Sequence, residues 1–98
     1  GGYKVFSVEV EGKLAELDFI ELSAVIGQPD EKRPGNDIVH LYIQLKAESR
    51  HLDHDTLREQ ILAFCREHMA PYKIPKHVHF QDALPLTAVG KLDKKALR

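Results

Sequence analysis

The sequence predicts a small two-layer α+β domain, with about three strands in a sheet and helices packed against it. Three observations carry that prediction. Residues 38–46 alternate strictly: Val39, Leu41, Ile43 and Leu45 fall on one side, His40, Tyr42 and Gln44 on the other, the period of a strand. Leu57, Ile61, Phe64, Cys65 and Met69 recur instead at helical intervals. Between two alternating segments lies a stretch rich in turn formers, residues 28–37, with Pro29, Pro34, Gly35 and Asn36, so those two segments are expected to pair antiparallel. At 98 residues the chain is one domain, and 43% hydrophobic with 30% charged residues is an ordinary globular composition.

Taken in order, Gly1-Gly2 with Tyr3 and Val5 reads as a flexible start running into a short strand. Such a beginning fits a chain cut at a domain boundary, or an expression scar. Ser7 is expected to cap a helix to about residue 17, with Glu9 and Glu11 in its first turns, Val10, Leu14 and Leu17 inward, and Gly12 as a weak point. Residues 19–27 form a strand in which Ile20, Leu22, Ala24 and Ile26 alternate with Glu21, Ser23 and Val25. After a polar stretch, Thr56 and Glu59 suit a capping box for the long helix. Pro71 and Pro75 bracket a tight linker, Tyr72-Lys73-Ile74, and residues 76–81 make a last short strand with Val78 and Phe80 inward.

The composition excludes several classes of function. A net charge of −1 gives no general pull toward nucleic acid or anionic membrane. No apolar run approaches spanning length, and no signal peptide opens the chain. The single Cys65 fits a reducing, cytoplasmic compartment; on the apolar helix face it reads as a small hydrophobe rather than a nucleophile. Six histidines are many, but their scatter and the lone cysteine argue against a zinc site, so no metal ligand is expected. So small a domain has little room for a deep pocket of its own, so any chemistry calls for a partner domain.

The last stretch, residues 84–98, does not read like a core element. Pro85 favours an extended or turned approach, Gly90 can adopt positive φ, and Lys91 follows at the tip of a mobile loop before a short basic helix holding Lys94 and Arg98. A lone lysine on a glycine hinge suits an anionic group. Taken alone, the segment is better explained as a solvated basic tail. It is not a nucleotide-binding P-loop: Pro85 stands where that motif needs its first glycine, and Leu92 where it needs Ser or Thr.

Taken jointly, the two ends and the linker are more specific. The segments concerned are Leu84-Pro85-Leu86-Thr87-Ala88-Val89-Gly90-Lys91-Leu92-Asp93-Lys94-Lys95-Ala96-Leu97-Arg98, Tyr72-Lys73-Ile74-Pro75, Gly1-Gly2-Tyr3-Lys4 with Glu9-Val10-Glu11, and Val25-Ile26-Gly27-Gln28-Pro29-Asp30-Glu31. The chain resembles the C-terminal domain of the AMP-forming adenylating enzymes: acyl-CoA synthetases, adenylation domains of peptide synthetases and luciferase. Departures are small. Ser7 stands where proline is common, Asn36 where glutamate is frequent, and residues 12–19 lack the usual His-Pro-x-Val.

The resemblance implies a two-step reaction in a full-length enzyme. A carboxylic acid and MgATP give an acyl-adenylate, and the acyl group then passes to a thiol. It implies that Lys91 enters the cleft of the protein's own N-terminal domain for the first step. After domain rotation, Gly1, Gly2, Tyr3 and Lys4 border the CoA tunnel, with Arg66 on the CoA side. ATP, Mg2+ and CoA belong to the whole enzyme, and none is expected to be held tightly by this fragment alone. An acid:CoA ligase acting on a fatty or related acid is the reading that follows. A domain loading a carrier protein's phosphopantetheine thiol, and a stand-alone interaction module without activity, are the alternatives.

Overall fold

A computed structural model describes residues 3–98. Helix α1 (Tyr3–Leu14) leads into strand β1 (Ile20–Pro29), which pairs antiparallel with β2 (Asp37–Leu45). Helix α2 (His54–His68) then carries the chain across to β3 (His77–Phe80), which lies parallel to β2. The sheet is three-stranded, in the order β1-β2-β3. Both helices cover the face that presents Val25, Leu41, Ile43 and Val78. There Tyr3, Phe6, Val10 and Leu14 of α1 meet Leu57, Ile61 and Cys65 of α2 in the main core. The α+β class and the antiparallel pair follow the sequence reading.

The beginning of the chain does not. No strand forms over residues 3–6; α1 starts at Tyr3, and Ser7 is a buried helix-interior residue rather than a cap. Its inward stripe is Tyr3, Phe6, Val10 and Leu14, a spacing of three to four that only a helix brings to one side. Leu17 lies beyond the helix, partly buried. Tyr3 explains why the helix reaches so far back. Its ring lies over Gly27 so closely that a Cβ there would overlap it. Its hydroxyl accepts a hydrogen bond from the Arg98 guanidinium at 2.5 Å, joining the two ends of the described chain.

β1 also departs from simple alternation. An irregularity between Ile20 and Leu22 shifts the register, so Ile20 shares the core face with Val25. Leu22, Ala24 and Ile26 turn to the other face, where they pack with Tyr42, Leu84, Leu92 and Leu97 in a second cluster. Val25, expected outward with Glu21 and Ser23, is fully buried, because the C-terminal segment covers one face of β1 and α1 the other.

α2 starts earlier than the capping-box reading placed it. Asp53 is the N-cap, accepting from the Thr56 backbone N–H at 2.9 Å and the Thr56 hydroxyl at 2.8 Å. Those bonds hold the Asp53 carboxyl below its ordinary pKa. Phe64 and Met69, expected in the buried stripe, are only partly buried. The β1–β2 connection closes on itself through Asp30 N–H to Asn36 O at 3.0 Å, with Gly35 at φ 93°.

Candidate functional site

The C-terminal segment is built as a docked hairpin. Leu84 is buried in the second cluster, and its N–H donates to Gln44 Oε1 at 2.8 Å. Leu86 and Leu92 form a bridge, Thr87 N–H donates to Lys91 O at 2.7 Å, and Gly90 N–H donates back to Thr87 O at 2.9 Å. Gly90 sits at φ 85°, the left-handed conformation glycine adopts without steric cost. Asp93 N–H then donates to Pro85 O at 2.9 Å, and a 3-10 turn, Lys94–Leu97, seats Leu97 in the second cluster. The expected mobile loop is thus a hydrogen-bonded turn, and the expected basic helix is this short 3-10 turn.

This arrangement separates Lys91 from a basic tail. Lys94 pairs with Glu11 at 2.7 Å, and Arg98 is bound to Tyr3. Lys91 lies exposed directly after the turn, and among the described residues its ammonium has no hydrogen-bond or ion-pair partner. Leu86 and Val89 beside it are also exposed, at 52% and 79%. A tail held for its charge alone would leave its cations in water. Here Lys94 and Arg98 are tied into the fold while Lys91 and Lys95 are exposed, and of these two it is Lys91 that follows the glycine turn on a shaped, partly apolar projection.

The expected CoA-side residues do not all come together. Gly1 and Gly2 lie outside the described residues. Tyr3 lines a surface cavity of about 450 Å³ with Phe6, Arg33, Tyr72 and Lys76 among its walls. Lys4 is exposed on α1 and is not part of that lining. Arg66 is exposed on the outer side of α2, over a shallow surface formed by Asp55, Thr56, Glu59, Gln60 and Ala63. Arg33 and Lys76 went unnoticed in the sequence because each sits in a polar stretch where a cation is unremarkable; only the closing of the 30–36 turn brings Arg33 to the cavity. The Tyr72 ring meets Phe6 edge-on at 5.9 Å, and Lys73 Nζ binds Glu9 at 2.6 Å, which raises the Lys73 pKa.

Two other groups bear on the chemistry. Burial pushes the Cys65 thiol up to about 11, so it stays protonated and inert at neutral pH. His40, His77 and His79 stack on the second face of the sheet, with His40 Nδ1 2.9 Å from His79 Nε2. Burial, then neighbouring histidine charge, lowers the pKa of His40 and His79. Among the described residues no group of three or more His, Cys, Asp or Glu side chains could hold a metal ion.

The fold is thus a small α+β domain, a mixed three-stranded sheet with two helices on one face, in which Lys91 stands exposed beside a glycine turn. The model of the AMP-binding enzyme C-terminal domain matches residues 9–91, and the chain belongs to that family. It is 39% identical over 98 residues to 3-[(3aS,4S,7aS)-7a-methyl-1,5-dioxo-octahydro-1H-inden-4-yl]propanoyl:CoA ligase of Rhodococcus jostii, covering all of this chain and 18% of that protein. It is equally 39% identical over 97 residues to a long-chain-fatty-acid–CoA ligase of Bacillus subtilis, covering 99% of this chain and 16% of that one. The fold superposes on a benzoate CoA ligase from Burkholderia xenovorans with a TM-score of 0.80 at 34% identity, over 94% of this chain and 18% of that chain. An anthranilate CoA ligase solved with anthranoyl-AMP superposes at 0.81 and 37% identity, over 94% of this chain and 17% of that one. The chain therefore spans less than a fifth of the length of these relatives.

Proposed function

We propose that the chain acts as the C-terminal domain of an AMP-forming acid:CoA ligase, beside a large N-terminal domain that binds the acid and the nucleotide. The observation that carries this reading is the presentation of Lys91: unpartnered and directly after a hydrogen-bonded glycine turn, in a segment where Lys94 and Arg98 are engaged and Lys95, also exposed, lies away from the turn on the 3-10 segment. As a carboxylate attacks the α-phosphorus of ATP, negative charge gathers on the oxygens around it. A compact ammonium on a long stem, brought in from outside the cleft, stabilises that charge where it develops. MgATP supplies the electrophilic phosphorus; the described residues offer no carboxylate cluster for the metal, which falls to the N-terminal domain.

For the second step, rotation of the domain turns the Tyr3 cavity toward the substrate. Its walls hold Arg33 and Lys76, which offer charge to phosphate beside the carboxylates of Asp30 and Asp37, and the exposed Tyr72 ring, which offers a stacking surface. This reading keeps Tyr3 on the CoA side; Gly1 and Gly2 lie outside the described residues, Lys4 does not line the cavity, and the placement of Arg66 on the outer side of α2 favours it less. The protein works in the cytoplasm in this proposal, where its one buried cysteine needs no partner.

The test is to replace Lys91 with alanine in the full-length enzyme and follow the half-reactions separately. Acid-dependent pyrophosphate exchange should fall by roughly 10²–10³, the loss seen when one transition-state donor is removed. Thioester formation from supplied acyl-adenylate should be nearly unchanged. Equal losses in both would refute the assignment.

A further inference from the structure

We propose that Glu11 and Lys94 form a positioning pair that holds the Lys91 hairpin in the orientation needed for adenylation; the functional half of this rests on the reading of Lys91 above. One carboxylate oxygen joins three parts of the fold. Glu11 Oε2, on α1, accepts from the Val25 backbone N–H of β1 at 2.7 Å and lies 2.7 Å from Lys94 Nζ of the C-terminal segment. β1 is an edge strand, so this N–H points away from the ladder and needs an acceptor from outside the sheet. The pair is largely shielded, at 18% side-chain exposure for Glu11 and 30% for Lys94.

Lys94 lies three residues beyond Lys91, past the Leu86–Leu92 bridge that closes the hairpin. Leu92 and Leu97 anchor the segment by apolar packing, which is non-directional. The ion pair adds the direction: it fixes which way the second leg of the hairpin leaves the sheet. One ammonium and one backbone N–H with defined geometry on a single oxygen restrict rotation about the packed leucines, and a misplacement of about 1 Å at a reacting centre can cost roughly a hundredfold in rate.

The substitutions separate positioning from a direct cationic role. Glu11→Gln keeps an acceptor for Val25 while removing the charge that Lys94 pairs with. Lys94→Met removes the charge and keeps the length, and Lys94→Arg restores the pair. In the full-length enzyme, Glu11→Gln and Lys94→Met should each lower pyrophosphate exchange about tenfold, and together no further than either alone. Lys94→Arg should return most of the rate, and thioester formation from supplied adenylate should not change. In both single variants the amides of Thr87, Gly90 and Asp93 should exchange roughly tenfold faster, while those of α2 do not.

If Glu11→Gln has no effect while Lys94→Met does, Lys94 acts directly and the proposal fails. Additive losses, or equal losses in both half-reactions, overturn it as well. Should Lys91→Ala prove harmless, the adenylation reading falls, and the exchange of the hairpin amides alone then decides whether the pair orders this segment. Unchanged protection there overturns the proposal outright.

Discussion

Replacing Gly27 with alanine isolates the contact on which the first turn of α1 depends. Gly27 pairs with Val39 inside the β1–β2 ladder and does not adopt positive φ, so alanine meets no backbone strain there. Reduced freedom in the unfolded chain would by itself stabilise by about 0.4–1 kcal/mol. Against this stands the Tyr3 ring, whose Cγ, Cδ1 and Cε1 atoms crowd the position of the added methyl. Those atoms form the side of a ring that is only 6% exposed, not the tip of a flexible chain, so the ring cannot swing clear. Overpacking of this kind costs about 1–3 kcal/mol. Expelling the ring forfeits about 1.5–3 kcal/mol of apolar burial and the Arg98 hydrogen bond with it. The balance is a net destabilisation of about 1–2 kcal/mol, and in a domain of this size each kcal/mol moves Tm by about 4–8 °C. Gly12→Ala is the control: on exposed α1 surface, nothing lies within 4 Å of an added Cβ, so helix propensity alone should stabilise by about 0.8–1 kcal/mol. Thermal unfolding followed by far-UV circular dichroism should shift in opposite directions for the two variants. If Gly27→Ala melts at or above the parent, Tyr3 is not seated on β1 and the helical start at Tyr3 is wrong.

Acidification should weaken the fold through the stacked histidines. His40 and His79 have lowered pKa values in the folded chain, so their stabilising effect is complete above the unfolded value of about 6.5 and is lost as pH falls through the lowered folded values. Urea unfolding between pH 7.5 and 5 should show this decline in the parent and a shallower one in a His40→Gln/His79→Gln variant; parallel profiles would refute it. At the start of α2, Asp53→Ala should lower Tm by roughly 5 °C through loss of the cap, while Glu59→Ala leaves it within roughly 2 °C. The reverse ranking would reinstate the capping box at Thr56 and Glu59.

The parts of this protein that were legible in its sequence are those where one periodicity was unopposed. β2 alternates cleanly because its two faces meet different environments: one the helical core, the other the histidine stack and the C-terminal segment. α2 carries Leu57, Ile61 and Cys65 on one stripe, and its face was plain. Where both faces are covered, the pattern misleads. Val25 is buried like its neighbours, and a local irregularity moves Ile20 to the opposite face from Leu22, so alternation over β1 pointed to the wrong side. α1 was read as beginning late because Tyr3 and Val5 suit a strand, and nothing local shows that Tyr3 will pack over Gly27, twenty-four residues on.

The candidate site divides along the same line. The residues from Leu84-Pro85 through Gly90-Lys91 to Leu97-Arg98, taken jointly with Tyr72-Lys73-Ile74-Pro75 and Gly1-Gly2-Tyr3-Lys4, were enough to indicate the family, because these are local requirements written in adjacent positions. How the cations Lys91, Lys94, Lys95 and Arg98 differ could not be read there, since they are alike in composition. Only the tertiary structure separates them. Glu11, eighty-three residues before Lys94, and Tyr3, at the far end of the described chain, bind two of these cations and leave Lys91 and Lys95 exposed, because which charges meet depends on how the helix, the edge strand and the C-terminal segment pack together.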